Sequence, residues 1–136
     1  DAPYALRLRC RAALARTGQL IWHDRVAGSQ NVRAEMIGDV VLARKDSPTS
    51  YHLAVTVDDA TQGVTLVTRG RDLFAASHVH RLLQALLDLP VPEYHHHRLI
   101  TDNAGRRFAK RDSAVTLAAL RAAGHSPQDL REMVGL

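Results

Sequence analysis

A basic loop near the end of the sequence has residue types and spacing suited to binding phosphate groups. Residues 105–112 read Gly-Arg-Arg-Phe-Ala-Lys-Arg-Asp, so four cations follow a glycine and precede a segment of helical character. Backbone N–H groups at a turn or helix start attract anions, and the compact ammonium of Lys110 can follow charge developing on a phosphate. A solvated basic surface loop has the same pattern and is the commoner case. The spacing alone leaves both interpretations open.

The composition describes a basic globular chain. It has 136 residues, 46% of them hydrophobic, which suits one domain, or part of a larger one, with a genuine core. The net charge is +4, and of the 18 Lys and Arg residues only Lys45 and Lys110 are lysines. An arginine-rich surface suits a polyanion such as RNA. The balance excludes a disordered tail and is compatible with a nucleic-acid partner.

Cysteine use and the start of the chain bear on its location. The single cysteine, Cys10, cannot form an intrachain disulfide or a cysteine zinc cluster, which fits a reducing cytoplasm. The sequence begins at Asp1 without a methionine or a basic-then-apolar leader, and no apolar run reaches membrane-spanning length. We therefore expect a cytoplasmic chain with no membrane partner, cut from a longer protein.

Local patterns predict strands in the first half of the chain. Residues 5–9, 19–24 and 40–44 are extended candidates separated by Gly18, by Gly28 with Ser29, and by Gly38 with Asp39, which favours antiparallel pairing. Residues 63–69 predict another strand. Residues 51–57 alternate like a strand, although Tyr51 and Val55 also stand one helical turn apart. Periodicity alone favours a strand there.

Helices are predicted in the second half. Ser77 is the expected N-cap of a helix that ends before Pro90. Its apolar stripe recurs at helical spacing: Val79, Leu82, Leu83, Leu86 and Leu87. Residues 117–123 predict a helix ended by Gly124, and Ser126, a proline and an acidic residue open a last short helix.

A series of short motifs runs in a fixed order through the chain. These are Ser-Tyr-His-Leu-Ala at 50–54, Val-Asp-Asp-Ala at 57–60, Gly-Val-Thr at 63–65, Arg-Gly-Arg-Asp-Leu at 69–73, Pro-Glu-Tyr at 92–94 and Arg-Phe-Ala-Lys at 107–110. In this order they resemble the class I glutamyl-type aminoacyl-tRNA synthetases. The resemblance covers essentially the whole chain, and several ordered motifs are far more specific than any one of them.

The resemblance implies an α/β fold. The chain would be the second half of a class I synthetase Rossmann-like catalytic domain, with antiparallel strands of the acceptor-binding insertion and C-terminal helices. Residues 1–45 would belong to the insertion, 46–112 to the Rossmann-like half and 113–136 to the helical segment. It also implies that residues 51–59 are helical, which we adopt because tertiary packing routinely overrides local alternation.

The implied activity is ATP-dependent activation of glutamate to glutamyl-adenylate, followed by transfer of glutamate to a nucleic acid. Two branches compete, the full-length glutamyl-tRNA synthetases and the shorter glutamyl-Q tRNA(Asp) synthetases, which use the queuosine base of tRNA(Asp). Val55, the run at residues 116–121 and the end at Leu136 resemble the shorter enzymes. A non-enzymatic RNA-binding module on the same scaffold is the remaining alternative. We expect a monomer.

Two residues match positions that contact glutamate in the family, Tyr51 and Arg69. A guanidinium can bind a carboxylate through two parallel hydrogen bonds, and a tyrosine hydroxyl can both donate and accept. Without the resemblance, Tyr51 is more simply interpreted as a core aromatic and Arg69 as part of a surface ion pair.

The basic loop takes the place of the Lys-Met-Ser-Lys-Ser signature of class I synthetases, which implies ATP binding by Arg107, Phe108, Ala109, Lys110 and Arg111. Lys110 matches the ATP-binding lysine and is the implied catalytic residue. As the glutamate carboxylate attacks the α-phosphate, this cation would stabilise charge on the phosphate oxygens and the leaving pyrophosphate. The loop departs from the signature at Arg107 and at Ala109, which removes a hydroxyl.

No metal is predicted to be held by this chain. Asp58 and Asp59 diverge if they are helical neighbours, and His95 and His97 would share a strand face but lack a third ligand. We expect the histidines of residues 95–97 to face solvent or to contact phosphate. Mg²⁺ would arrive with ATP, and zinc would belong to the parent protein.

The second signature of the family, a His-Ile-Gly-His-like motif, does not occur in these residues. The N-terminal positions that complete the glutamate pocket are also missing. We therefore expect a C-terminal portion of a catalytic domain that does not turn over by itself.

Overall fold

The computed structural model describes residues 4–36, 38–101 and 116–135, and the chain divides into two compact units, Asp1–Arg98 and Leu99–Leu136. The first unit contains β1 (Leu6–Leu8), α1 (Cys10–Thr17), β2 (Ile21–Asp24), β3 (Gly28–Asn31), β4 (Val40–Ala43), α2 (Tyr51–Thr61), β5 (Leu66–Gly70), α3 (Phe74–Leu86) and β6 (Glu93–His97). The second contains α4 (Leu117–Ala122) and α5 (Pro127–Met133). The helices within these ranges are too short or too polar to cross a membrane.

A four-stranded sheet of order β3-β2-β6-β5 organises the first unit. β2 pairs antiparallel with β3 and parallel with β6, and β5 pairs parallel with β6, with Arg69 opposite His96. β1 and β4 form a separate antiparallel pair. The predicted antiparallel pairing in the first third is confirmed. The sheet joins β2 to strands beyond residue 46, so residues on both sides of the predicted domain boundary at 45 and 46 belong to one unit. The predicted boundary stays a prediction.

Three elements of the first unit were not predicted: β3, α1 and β6. Gly28 and Ser29 were expected to separate strands, but they belong to β3, where Gly28 adopts a φ of 72° that favours glycine. α1 follows β1 immediately, and its residues Cys10 and Ala13 are buried. The helix buries these two residues although its mean composition is polar. Tertiary packing rather than a strong apolar stripe therefore holds the helix in place.

The helical interpretation of residues 51–59 is confirmed, and the strand alternation is wrong. α2 begins after Ser50, whose hydroxyl accepts a hydrogen bond from the Leu53 N–H at 3.4 Å. The backbone N–H of Ala54 donates to the Ser50 carbonyl at 2.9 Å, which closes the first turn. A serine cap of this kind satisfies one of the helix's free N–H groups and outweighs the β-branched residues further along.

α3 carries the predicted apolar stripe but begins earlier than expected. Val79, Leu82 and Leu83 are buried in the core, as predicted. Ser77 is not the N-cap, because the helix starts at Phe74 and Ser77 lies inside it, fully buried. Its hydroxyl instead meets the His96 side chain, so a capping signal in the sequence marks a tertiary hydrogen bond.

The core of the first unit is built around Trp22 on β2, which is 2% exposed. Its ring centroid lies 5.0 Å from that of Phe74 and 5.2 Å from those of His78 and Tyr94. The indole N–H donates to His78 Nδ1 at 3.2 Å. Large aromatics are stable in a core when their polar handle finds a partner, so α3 and the sheet are joined by both packing and a hydrogen bond.

A buried carboxylate, Asp24 at the end of β2, ties three elements together. Its Oδ1 accepts from the N–H groups of Val26 and Ala27, which closes the turn into β3. Its Oδ2 accepts from the His96 backbone N–H at 3.0 Å and lies 2.6 Å from His96 Nδ1. Burial raises the pKa of this carboxyl, but the His96 side chain and the backbone donors outweigh burial and hold the pKa below its usual value.

The two helices of the second unit begin as predicted. Thr116 caps α4 by accepting from Ala119 N–H at 3.1 Å. Ser126 and Asp129 form a reciprocal capping box at the start of α5. Gly124, with a φ of 90°, follows the end of α4. These signals act within one turn, which is why the sequence alone sufficed to find both helices.

Replacing Asp24 should destabilise the fold strongly. We expect Asp24→Ala to lower the free energy of unfolding by about 3 kcal/mol. The substitution leaves buried N–H donors, which share the carboxylate in the wild type, without an acceptor. Asp46→Ala removes an exposed carboxylate and should stay within about 0.5 kcal/mol. Urea denaturation at neutral pH measures both.

The loss of stability caused by Asp24→Ala should depend on pH in a defined way. A carboxyl whose folded-state pKa is lowered contributes stability above its unfolded pKa of about 3.9 and loses it as pH falls through the folded value. The difference between wild type and Asp24→Ala should therefore shrink below about pH 4. A difference that is unchanged down to pH 3 would contradict the assignment of an ionised Asp24.

Candidate functional site

Side chains from α2, α3, β5 and β6 meet in one cluster, which we call the Arg69 cluster. Its members are Tyr51, His52, Arg69, His80 and Tyr94, joined by hydrogen bonds and ring contacts. The cluster brings together Tyr51 and Arg69, the two residues that the sequence singled out. It does so through His80, which the sequence analysis passed over.

Arg69 is a buried cation, 8% exposed, near the end of β5. Its Nη1 lies 3.0 Å from His80 Nδ1, and its Cζ lies 5.4 Å from the centroid of the Tyr94 ring. Within the described part of the chain no carboxylate lies within 4.0 Å of its guanidinium. The interpretation of Arg69 as a member of a surface ion pair is therefore wrong. The hydrogen-bond and ring partners of Arg69 are neutral, and the half-buried Asp59 interacts with its charge only from beyond 4.0 Å. Burying a cation without a close counter-ion is costly.

His80 is a neutral imidazole. It is 1% exposed, and burial lowers its pKa to about 3, with further lowering from the charge of Arg69 and from His52. A guanidinium can only donate, so His80 Nδ1 must be the acceptor and the ring proton must sit on Nε2. His80 therefore presents an acceptor to Arg69 and a donor to the opposite side.

The donor side of His80 faces His52 on α2. His80 Nε2 lies 3.0 Å from His52 Nδ1, so the His80 proton fixes His52 Nδ1 as an acceptor. Burial and the charge of Arg69 lower the pKa of His52, which favours its neutral form. The hydrogen bonds therefore run in one direction, from Arg69 to His80 to His52, and the remaining His52 proton lies on Nε2.

Tyr51 lies at the open side of the cluster. It is 55% exposed, and its ring centroid is 5.6 Å from that of His52 and 5.9 Å from that of His80. The interpretation of Tyr51 as a core aromatic is therefore wrong. The Tyr51 ring contacts His80, which in turn lies at Arg69, and an exposed phenol can offer a hydroxyl to a ligand that comes from solvent.

The basic loop falls outside the described residues. Arg107, Phe108, Ala109, Lys110 and Arg111 were predicted to bind ATP, with Lys110 as the catalytic residue. These assignments remain predictions. Of the predicted site residues, Tyr51 and Arg69 are the two that lie within the described part of the chain.

His96 does not face solvent or a phosphate, so that expectation is wrong for this residue. It is 3% exposed, its Nδ1 lies 2.6 Å from Asp24 Oδ2, and its Nε2 lies 3.0 Å from Ser77 Oγ. Hydroxyl, imidazole and carboxylate follow one another as in a nucleophilic triad. Ser77 and Asp24 are both 0% exposed, which keeps a substrate from the hydroxyl, so the arrangement serves the core.

Metal binding was predicted to be absent from this chain. Across residues 4–36, 38–101 and 116–135, no three His, Cys, Asp or Glu side chains group as metal ligands. Asp59 is half-buried on α2 rather than paired with Asp58 toward a shared target: burial raises its pKa, Arg69 lowers it, and Asp58 raises it. The prediction itself extends to residues beyond these ranges and stays a prediction.

One signal in the sequence could have found His80. Ser77, His80 and Gln84 recur at helical spacing beside the leucine stripe, and all are buried. Polar residues on the buried face of a helix need hydrogen-bond partners, so such a row indicates a polar network rather than a surface. His80 reaches Arg69, and Gln84 donates to the Tyr94 hydroxyl at 3.1 Å.

Comparison with known families establishes the family of the chain. The family described as tRNA synthetases class I (E and Q), catalytic domain, matches residues 1–136. The chain belongs to this family. The resemblance carried by the ordered motifs is thereby confirmed, and so is the class I synthetase catalytic-domain fold with its mixture of helices and strands.

Individual synthetases show how much of a relative the chain represents. It is 53% identical to a glutamyl-Q tRNA(Asp) synthetase of Rhodobacter capsulatus over 97% of this chain and 49% of that protein. It is 46% identical to a protein of the same name from Nocardia farcinica, over 94% of this chain and 39% of that protein. The chain therefore spans half or less of the length of these relatives.

A solved structure supports the synthetase fold. The glutamate-tRNA synthetase of Elizabethkingia anophelis superposes with a TM-score of 0.60 at 29% identity, covering 71% of this chain and 20% of that one. A similarity at this level agrees with membership of the synthetase family. It leaves the substrate to be argued from the site.

His80 should stay neutral across the physiological range. With a pKa of about 3, its ring should keep the spectrum of a neutral imidazole protonated at Nε2 between about pH 5 and about pH 8. Nitrogen-15 spectra of the histidine rings measure this directly. Since the unfolded chain takes up a proton near pH 6.5 and the folded chain does not, His80 also makes stability fall as pH drops below about 6.5. A His80 titration midpoint near 6.5 would contradict the buried relay.

Proposed function

We propose that the protein containing this chain activates glutamate with ATP and transfers it to the queuosine base of tRNA(Asp). In this proposal the described residues supply part of the glutamate site, through Arg69 and Tyr51. The residues 107–111 supply part of the ATP site. The proposal names a ligase activity for the whole protein, of which this chain is one portion.

The observation that carries the proposal is the burial of Arg69 without a carboxylate within 4.0 Å in the described residues. A buried guanidinium is costly unless an anion compensates it; its hydrogen-bond and ring partners are an imidazole and a phenol ring, and the half-buried Asp59 acts on it only from a longer distance. A carboxylate ligand would supply that compensation through two parallel hydrogen bonds. Glutamine has no side-chain carboxylate, so a site that uses Arg69 on this group would distinguish the two amino acids.

Tyr51 complements this role from the solvent side. Its ring contacts His52 and His80, while 55% of the residue remains exposed. A phenol can donate to a carboxylate oxygen or accept from an ammonium group. A glutamate molecule entering from solvent would meet the phenol before the buried guanidinium, which is a sensible order for capture and selection.

The chemical step would proceed without a covalent enzyme intermediate. An oxygen of the glutamate α-carboxylate attacks the α-phosphorus of ATP, and the bond to pyrophosphate breaks. Lys110 would stabilise negative charge on the phosphate oxygens and the leaving group. Mg²⁺ would accompany ATP, as in class I synthetases in general.

The acceptor is proposed from the relatives. Two of them, from Rhodobacter capsulatus and Nocardia farcinica, are named glutamyl-Q tRNA(Asp) synthetases. The structural neighbour from Elizabethkingia is a glutamate-tRNA synthetase, which favours a second candidate function, charging of tRNA with glutamate. ATP–pyrophosphate exchange with glutamate and no tRNA separates them. Exchange without tRNA supports the queuosine acceptor, and a strict need for tRNA supports the second candidate. A monomeric, cytoplasmic protein remains part of the proposal.

Arg69→Lys should impair glutamate activation selectively. The ammonium keeps the charge but loses the two-pronged geometry, so we expect kcat/KM for glutamate to fall about 10- to 100-fold while KM for ATP changes little. ATP–pyrophosphate exchange by the complete gene product measures this.

Arg71→Lys provides the matched control, since Arg71 is exposed two residues away on the same stretch. It should leave kcat/KM for glutamate within about twofold of wild type. Equal losses in both variants, or no loss in Arg69→Lys, would remove Arg69 from the glutamate site.

A further inference from the structure

We propose that His80 is a positioning residue that aims the guanidinium of Arg69 at the substrate carboxylate without consuming its charge. His52 supports this role, since its Nδ1 accepts the hydrogen bond that His80 Nε2 donates. The inference rests on the proposed function, because it assigns how the glutamate site is kept ready for its ligand.

The need for such a residue follows from the arginine itself. An arginine side chain has several rotatable bonds, and holding it in one geometry costs rotamer freedom. Arg69 is held at two points, by His80 Nδ1 at 3.0 Å and by the Tyr94 ring at 5.4 Å. Both partners are neutral, so they hold the guanidinium in place without forming an ion pair with it.

The choice of an imidazole is specific. A carboxylate at position 80 would also fix Arg69, but it would form a buried ion pair and compete with the ligand carboxylate for the same donors. An apolar side chain would leave Arg69 and His52 without their partner. A neutral histidine offers an acceptor on one edge and a donor on the other, which is what Arg69 and His52 require.

The position of His80 on α3 is itself secured. α3 is anchored to the sheet independently of His78, by the Ser77 hydroxyl at His96 and by Arg81, whose Nε donates to the Ile21 carbonyl at 2.9 Å. His80 therefore has little freedom to move away from Arg69. A rigid helix that presents the orienting group keeps the geometry of a site constant between ligands.

The chain offers a close control for a purely structural role. His78 stands two residues earlier on α3, is 2% exposed, and accepts one hydrogen bond, from Trp22. It matches His80 in residue type, helix and burial, but it contacts no member of the Arg69 cluster by a hydrogen bond in the described residues. Loss of His78 should therefore affect stability alone.

The experiment compares His80→Leu, His80→Gln, His80→Glu and His78→Leu in the complete gene product. Glutamate-dependent ATP–pyrophosphate exchange gives kcat and KM for glutamate and for ATP, and thermal melting reports stability. We expect His80→Leu to raise KM for glutamate about tenfold or more with KM for ATP unchanged. His80→Gln, whose amide has both an acceptor and a donor, should recover most of that loss.

His80→Glu separates positioning from packing. The introduced carboxylate can pair with Arg69, so this variant should melt above His80→Leu and yet bind glutamate at least as poorly. It also keeps the test decisive if His80→Leu does not fold. His78→Leu should lower the melting temperature and leave KM for glutamate within about twofold.

The outcomes distinguish this inference from the proposed function. The positioning role would be overturned if the wild type shows exchange with glutamate and His80→Glu and His78→Leu have the same KM for glutamate. The proposed function would then still stand. No glutamate-dependent exchange in the wild type would overturn the proposed function and the inference with it. A KM effect confined to position 80, with recovery in His80→Gln, supports the positioning role.

Discussion

The buried carboxylate of Asp24 is the constraint on which the rest of the first unit depends. It accepts from Val26, Ala27 and His96, so the turn into β3, the end of β2 and the middle of β6 meet at one anion. His96 passes the connection on to Ser77 of α3. An ionised group without solvent is tolerated only when its hydrogen bonds are complete, so these elements must be in register for the unit to be stable.

α3 transmits this constraint to the site. One part of its buried surface, with Ser77 and His78, is held by the sheet, and the next turn carries His80 toward Arg69. Stability and recognition are thereby placed on successive turns of one helix. A control on the same helix therefore separates a general loss of stability from an effect on Arg69.

The two buried charges are handled in opposite ways. Asp24 is surrounded by donors and complete, and these donors hold its pKa below the usual value against the effect of burial. Arg69 has neutral partners and no carboxylate within 4.0 Å in the described chain. A satisfied charge strengthens a fold, whereas an incompletely compensated one is a reservoir of binding free energy. The difference is the physical basis for assigning one to the core and the other to a ligand.

The sequence by itself determined the features whose causes lie within a few residues. Ser126 marks the start of the last helix because a cap and its N–H partner are three residues apart. The helix after Ser50 was found only through the family resemblance. The ordered motifs likewise sufficed to find the family and to single out Tyr51 and Arg69. α1, β3 and β6 were not predicted because their composition is polar and tertiary packing holds them in place.

Tertiary structure alone decided the sheet order, the burial of His96 and the relay through His80. Trp22 and His78 are 56 residues apart in the chain, and Asp24 and His96 are 72 apart. No local pattern specifies which distant polar groups will share a hydrogen bond, because that choice is made when helix and sheet pack and exclude water. The same packing makes Ser77, an apparent helix cap, a core contact and places His80, which the sequence analysis passed over, next to Arg69.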